Sequence, residues 1–375
     1  MRLIASNYSH LFNTLPEFNG GYLDSNECGF KVTWVRGLKY RAVNGFHRVL
    51  SWMWFELLVV LMAFQKRYER PDVFIGSSLS LFTVLSGCFY KKVFKTKFIF
   101  EVRDIWPQSL IDLKGVSKNH PLVYVLGKLE LLGYRYADAI VGSMPGLREH
   151  VEQKVGLGIK VHYLPQPVSL EFFETEQKEV TEEYISKYIP KGKFIIMYAG
   201  SMGPANALEF IIDAARVAQK TLPEVCFVLV GDGHSKQELA ENAKGLDNVI
   251  FAPRVRKSEV QSVLVYADVL VASFRQEDIY RYGMSLNKFV DYMYAAKPVV
   301  AMYSGFPSMI NEAGCGTFSP AEKSDEFVQT LGTYFSMACE ERNAIGRKGR
   351  EFLMNVQNSE VLSTQFESLF HEADA

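Results

Sequence analysis

The stretch Gly283–Val300, GMSLNKFVDYMYAAKPVV, sets a cation and a carboxylate where both could act on one ligand. Lys288 and Asp291 stand three residues apart, the spacing of neighbours on a helix face. The same spacing also describes a solvated surface ion pair of small worth, and these residues alone leave both readings open. A second signal lies in FIIMYAGSMGPANALEFIIDAARVA, Phe194–Ala218, where Gly200, Ser201, Met202 and Gly203 form a small-residue loop before Pro204. Backbone N–H groups exposed at such a helix start suit an anion such as a diphosphate. Glycine would serve a tight strand-to-helix turn on steric grounds alone. Val228–Gly233, VLVGDG, reads as a strand with a glycine turn in which Asp232 can serve the turn itself. No G-x-G-x-x-G follows any strand, which disfavours a nicotinamide-dependent dehydrogenase.

The elements that must position these residues alternate along the chain. Leu286, Phe289, Val290 and Met293 recur as the apolar stripe of a helix, with Ser285 or Asn287 available to cap its start. Short β-rich runs occur at Val32–Val35, Val73–Ile75, Phe98–Phe100, Ala139–Val141 and Val161–Leu164, and again at Phe194–Tyr198, Cys226–Val230, Val249–Phe251, Val269–Ala272 and Pro298–Ala301. Longer helical patterns separate them, which predicts α/β domains with parallel sheets covered on both faces. Pro165–Lys191, with Pro165, Pro167, Pro190 and the acidic run around Glu174–Glu183, has the composition of a linker or hinge. Two Rossmann-like domains facing a central cleft are expected, with ligands at the carboxyl ends of the strands.

A length of 375 residues exceeds one ordinary core and agrees with two domains. A hydrophobic fraction of 48% with a net charge of -1 describes a globular protein lacking the positive field of a nucleic-acid binder. The five cysteines, Cys28, Cys88, Cys226, Cys315 and Cys339, are scattered and never form C-x-x-C, which fits reduced buried thiols rather than a zinc site. No secretory signal begins the chain. Val49–Phe64, VLSWMWFELLVVLMAF, is interrupted by Ser51 and Glu56 and is shorter than the roughly 20 apolar residues of a spanning helix. It reads as a buried core helix or as a helix lying in a membrane interface, the latter favoured by Trp52, Trp54, Arg48 and the basic cluster Lys91, Lys92, Lys95 and Lys97.

Seven segments in order carry a family resemblance: FEVRDIWPQSL (Phe100–Leu110), ADAIVGSMPGLREHV (Ala137–Val151), VHYLPQPVSLEFF (Val161–Phe173), MYAGSMG (Met197–Gly203), FVLVGDG (Phe227–Gly233), NKFVDYMYAAKPVVA (Asn287–Ala301) and NEAGCGTFSP (Asn311–Pro320). They resemble the family 4 glycosyltransferases of GT-B fold, especially the branch that assembles bacterial surface polysaccharides, and are similar to N-acetyl-L-fucosamine transferases. The resemblance implies an N-terminal acceptor-binding domain over residues 1–165, a linker over 166–191, a C-terminal nucleotide-sugar domain over 192–357, and a helix over 358–375 returning to the first domain. It implies a nucleotide-diphosphate sugar donor, a UDP-sugar, and a lipid-linked or oligosaccharide acceptor in capsule, O-antigen or exopolysaccharide biosynthesis. Nucleic acid is not an expected partner. The setting would be cytoplasmic, with peripheral contact to the inner face of the membrane.

In such a transferase the protein must chiefly stabilise the departing diphosphate. No D-x-D ligand pair is present, the nearest being Glu372–Asp374 in the tail, so neither a metal nor another cofactor is expected. Relatives hold the diphosphate with an Arg and a Lys after the glycine loop, but Met202–Ala207 contains no basic residue. The resemblance then assigns donor binding to Gly200, Ser201, Gly203, Asn287 and Lys288, with Arg254 as the second cation, the backbone around Val255 against the base and Asp291 on the ribose. Arg254, Arg256 and Lys257 also read as a solvated basic loop. The family's first glutamate, eight residues before Asp291, falls on Gly283. Glu277 and Asp278 could substitute for it from a surface loop. Arg103 and Asp104 occupy the place of a catalytic His-Asp pair: Arg103 cannot be a base but could hold an acceptor phosphate or developing negative charge, with Asp104 orienting it or the acceptor hydroxyl. A buried structural ion pair beside Trp106 and Pro107 is the competing reading.

Transfer would retain the anomeric configuration. Leu3–Leu11 resembles the second strand region of relatives, so the first strand-helix unit of the first domain is expected to be missing. Either translation begins upstream of Met1 or the chain is a truncated relative; with Gly283 and the absent loop cations, the second reading extends to a non-catalytic relative that binds nucleotide sugar or a partner transferase.

Overall fold

The computed structural model describes residues 1–8, 15–27, 29–40, 46–78, 80–284 and 286–371. Cys28, Ser285, the end of the Leu3–Leu11 segment and the pair Glu372 and Asp374 lie outside the described residues. The chain divides into one unit of Met1–Gly142, Arg148–Tyr163 and Leu369–Ala375, and another of Ser143–Leu147 and Leu164–Ser368.

The first unit holds two sheets. β4 (Val73–Ser77), β5 (Lys97–Val102), β6 (Ala139–Gly142) and β7 (Val161–Tyr163) form a four-stranded parallel sheet in that order; β1 (Arg2–Ser6), β2 (Tyr22–Glu27) and β3 (Phe30–Val35) form a separate sheet of order β1-β3-β2. The run Val32–Val35, expected among the parallel strands, lies in this smaller sheet, and its neighbour β2 is antiparallel. Only two residues part β2 from β3, far too few for a crossover, and Gly29 at φ +82 lets the chain fold straight back. The unit also contains helices α1 (Phe46–Met62) and α2 (Thr83–Phe94). The inner side of α1 packs Leu58 and Met62 with Val35 and Tyr68.

The second unit is built on six parallel strands: β8 (Phe194–Ala199), β9 (Val225–Val230), β10 (Val249–Ala252), β11 (Val269–Ser273), β12 (Val299–Met302) and β13 (Gly316–Ser319), in the order β10-β9-β8-β11-β12-β13. β8 and β9 read as unbroken apolar runs because both faces are covered. The period of two divides them: Ile195, Met197, Cys226, Val228, Leu270 and Ala272 enter one core, whereas Ile196, Tyr198, Phe227, Leu229, Val269 and Val271 enter the other. The helix Asn287–Tyr294 covers the first face, with Phe289, Tyr292 and Met293 buried, and Glu209–Thr221 covers the second through Ile211, Ile212 and Ala215. Chain order reverses between β8 and β11, so this is the Rossmann switch point, and the crevice beyond the carboxyl ends of those two strands is where such sheets bind ligands.

Residues 166–191 carry two short helices, Leu170–Thr175 and Glu182–Tyr188. Phe173 and Ile189 are buried in the core of the second unit, and the Phe173 ring stacks on Tyr294 at 4.1 Å.

Candidate functional site

The site is set by two glycine turns that lie against each other at the switch point. The Gly200 N–H donates to the Val230 carbonyl at 3.0 Å, and the Met202 N–H to the Asp232 carbonyl at 2.8 Å. A Cβ at Gly231 would stand 1.9 Å from the Gly200 oxygen, so close backbone approach requires glycine there. Asp232 accepts its own turn's Gly233 N–H at 2.9 Å. From the facing strand end, Ser273 Oγ donates to the carbonyls of Asn206 and Ala207 at 2.7 and 2.9 Å, which pins the far side of the loop.

Lys288 reaches into this loop from the first turn of its helix. Its Nζ lies 2.5 Å from Asn206 Oδ1, 3.2 Å from the Tyr198 hydroxyl and 4.6 Å from the Tyr198 ring centre. Tyr198 donates in turn to the Ser201 carbonyl at 2.6 Å, and Asn206 Nδ2 donates to the Ser201 carbonyl and hydroxyl at 3.0 and 3.1 Å. Thus Gly200, Ser201 and Lys288 are brought together, with Gly203 on the same loop. No ion pair among the described residues holds Lys288. Burial pushes its ammonium down from the ordinary value of 10.5 to about 7.

Tyr198 and Asn206 were not among the residues singled out from sequence. A signal for Tyr198 existed: an OH-bearing ring at the last buried position of a central strand must find a partner near the strand end. Asn206 had none, because its role depends on how Pro204–Asn206 and Ala207, at φ +44, turn the loop.

Lys288 and Asp291 do not pair with each other. Asp291 is taken by Lys257, whose Nζ lies 2.6 Å from Oδ2, and its backbone carbonyl accepts from Gln261 Nε2 at 3.0 Å. Burial raises the Asp291 carboxyl while Lys257 opposes the rise. Lys257, read from sequence as part of a solvated loop or a site edge, therefore positions the carboxylate expected at the ribose. Arg254 is exposed after β10 and forms no ion pair among the described residues, while Val255 packs on the core. Asn287 opens the helix and is exposed; its side chain makes no cap bond, and the capping position is Leu286.

Gly283 has a physical reason to be glycine. Its φ is +92, and a Cβ would stand 2.7 Å from Cδ of Pro145, beside the hydrogen bond from the Gly146 N–H to the Tyr282 carbonyl at 2.9 Å. A glutamate cannot take this place without moving the backbone. In the other unit, Arg103 and Asp104 follow β5 with exposed side chains and, among the described residues, no ion pair with each other; the Arg103 N–H donates to Ser78 Oγ at 2.9 Å and the Asp104 carbonyl accepts the Trp106 N–H at 3.0 Å. The buried-ion-pair reading of these two residues is therefore not what the structure contains.

Comparison with known proteins fits this geometry. Residues 193–336 match the family described as Glycosyl transferases group 1. Over 94% of this chain and 85% of the other, the structure is similar to sucrose-phosphate synthase from Thermosynechococcus elongatus, with a TM-score of 0.70 at 14% identity. The fold is GT-B. A second GT-B neighbour is Anabaena Alr3699/HepE in complex with UDP and glucose, with a TM-score of 0.63 at 15% identity over 92% of this chain and 87% of that one. Among curated proteins, the chain is 22% identical over 202 residues to the alpha-D-kanosaminyltransferase of Streptomyces kanamyceticus, covering 52% of this chain and 51% of that protein. It is 24% identical over 214 residues to the putative colanic acid biosynthesis glycosyl transferase WcaI of Escherichia coli K12, covering 56% and 51%. The chain spans about half the length of these curated relatives. The GT-B fold is what the seven sequence segments implied, while the match to Glycosyl transferases group 1 is coarser than the family 4 resemblance they carried.

Proposed function

We propose that the protein is a glycosyltransferase that moves a sugar from a UDP-sugar to a lipid-linked or oligosaccharide acceptor in the biosynthesis of a bacterial surface polysaccharide. The observation that carries this reading is Lys288: a half-buried cation without a carboxylate partner among the described residues, held by Tyr198 and Asn206 over a glycine loop at the switch point of the second unit's sheet. A cation so placed suits a diphosphate that is both bound and, on transfer, released with greater charge. UDP and UDP-glucose bound to Anabaena HepE support the uridine donor, and the likeness to WcaI supports a polysaccharide product.

In this reading residues 192–357 take the donor, with Gly200, Ser201 and Gly203 giving backbone N–H groups, Arg254 and Val255 at the base, Asn287 at the helix start and Asp291 on the ribose. Residues 1–165 take the acceptor through Arg103 and Asp104. The transfer retains configuration without metal: the acceptor hydroxyl attacks the anomeric carbon on the face the diphosphate leaves, the anomeric C–O bond breaks, and the departing phosphate oxygen takes the hydroxyl proton. The enzyme works in the cytoplasm with peripheral membrane contact.

Thermal unfolding across a panel of nucleotides and sugar nucleotides tests the donor site, because a ligand at a hundredfold its Kd adds about 2.7 kcal/mol to native stability. UDP and one UDP-sugar should stabilise the protein, and Lys288→Ala should abolish the effect; a flat panel would remove the donor reading. Trapping a covalent sugar on a carboxylate would overturn the same-face displacement.

Gly283 favours a second reading, a non-catalytic relative that binds nucleotide sugar or a partner transferase, since the family's sugar-contacting carboxylate cannot be restored there. Transfer or slow hydrolysis of a radiolabelled UDP-sugar, lost in Lys288→Ala, would exclude it.

A further inference from the structure

Helix α1 is apolar nearly all round, yet one side of it is uncovered. Leu50, Met53, Trp54, Leu57 and Leu61 recur at spacings of three and four, lie on one face and are all exposed, Met53 and Leu57 by 48% and 49%. Ser51, Glu56, Leu58, Val59 and Met62 occupy the buried side, so the polar Ser51 and Glu56 face inward while five large apolar side chains face outward. Phe64 extends the exposed face, 66% accessible, and its ring rests 5.9 Å from Phe89 of α2, beside the exposed Leu85 and Val93. A contiguous apolar surface of this kind marks an interaction site.

Cations frame one end of it. Between Phe64 and Lys97 there are seven basic residues against Glu69 and Asp72, in a chain whose net charge is -1. Lys66, Arg70, Lys92 and Lys95 are exposed and enter no ion pair among the described residues; Arg70 lies over Phe94 and Lys92 over Tyr136. Arg36 stands at the opposite edge, in the wall of a cavity of about 410 Å³ that Trp54 and Leu58 also line. Its carbonyl accepts the Trp54 indole N–H at 3.0 Å, which orients the ring at the rim of the patch. Among the described residues no helix is long and apolar enough to cross a membrane.

We infer that the exposed face of α1, extended by Leu85, Phe89 and Val93 of α2, is a docking surface for an anionic lipid bilayer. The apolar stripe enters the boundary between headgroups and acyl chains while Lys66, Arg70, Lys92 and Lys95 meet lipid phosphates, the pairing of two signals that stable peripheral binding needs. A second copy packed symmetrically on the same face would set these lysines near their own kind, so charge argues for the anionic surface. The inference rests on the lipid-linked acceptor of the proposed function for its purpose, but its measurement needs no donor.

The test is co-sedimentation of the full chain with vesicles of phosphatidylcholine alone or with phosphatidylglycerol. The protein should sediment with the anionic vesicles, detach as salt rises, and bind neutral vesicles weakly. Met53→Glu with Leu57→Glu, both at exposed positions, should weaken vesicle binding by about tenfold or more, and Lys92→Glu with Lys95→Glu should remove the preference for anionic lipid. UDP-induced thermal stabilisation should be unchanged in both variants, which shows that they fold and separates this inference from the donor reading. Equal sedimentation of wild type and both variants would overturn it, as would a dimer in the absence of vesicles that Leu57→Glu dissociates.

Discussion

At the residue scale the decisive group is Lys288. Its folded-state value of about 7 lies below the ordinary 10.5, so the unfolded chain holds more proton between those limits and stability falls as pH drops from 10.5 to 7, below which the penalty is complete. A neutral isostere removes that penalty: Lys288→Met should raise stability at pH 7 by on the order of 1 kcal/mol, a shift of about 2–4 °C in Tm, while losing UDP binding. A Tm equal to wild type or lower would show that the ammonium is not under strain. Conversely, a bound diphosphate favours the charged amine, so UDP binding should take up a fraction of a proton near pH 7–8 and weaken as pH rises above 7; calorimetry in buffers of different ionisation enthalpy reads both. Lys288 was legible from sequence because it stands three residues before a carboxylate in a helix after a strand. That its partners would be Tyr198 and Asn206 and not Asp291 was hidden, because helix spacing gives neighbours on a face and says nothing of longer-range competitors such as Lys257. Gly283 was legible as a departure but not as a necessity. With φ at +92 and Pro145 against it, Gly283→Glu should cost about 1–3 kcal/mol in denaturant unfolding and should not raise transfer activity.

At the scale of elements, five of the six strands of the second unit are readable to within a residue or two because burial on both faces leaves apolar runs bounded by turns, whereas β13, GTFS, is too short and too polar to stand out. Three elements were less so. The hairpin β2–β3 was missed because β2, YLDSNE, has too little apolar content to mark a strand, and it is held by pairing with β3 and by polar contacts such as Arg2 with Asp24 and Thr33. The segment 166–191 looked like a linker by its prolines and acids, yet single aromatic anchors at Phe173 and Tyr184 bind it to the core. Helix α1 was read as either buried or interfacial, and the structure divides it between the two, one face in the core and one uncovered. The glycine turns were legible as loops; their mutual contact was not, since it joins residues thirty positions apart. That contact makes a clear expectation: Gly231→Ala drives a methyl into the Gly200 carbonyl, so the β8 loop must shift, with a loss of about 2–4 kcal/mol in stability and weaker UDP binding even though the variant touches no ligand. Gly245→Ala, at φ +83 but in open space, should cost less and leave UDP affinity unchanged.

At the scale of the whole molecule, the two units carry different titrating groups, and their stabilities should respond to different variables. Glu56 of α1 is buried in the first unit against Ser86, whose hydroxyl donates to its carboxylate at 2.5 Å, and burial raises its carboxyl from 4.5 to about 7. A raised folded value means that the native state holds the proton longer than the unfolded chain does. The stabilising proton is fully in place below pH 4.5 and is lost as pH climbs through 7, so the first unit should weaken between pH 5 and 8. Lys288 lies in the second unit and gives the opposite sign near pH 7, and UDP acts there by mass action. Calorimetric unfolding should then not be a single two-state event at pH 8: a lower transition that rises on acidification to pH 6, and an upper one that rises with UDP. Glu56→Gln keeps a hydrogen-bonding partner for Ser86 without the charge, and should raise the lower transition at pH 8 by several degrees while leaving the UDP-dependent one in place. If UDP and Glu56→Gln instead move one common transition together, the two units unfold as a single cooperative body and the separate assignment of donor binding to the second unit's stability is wrong.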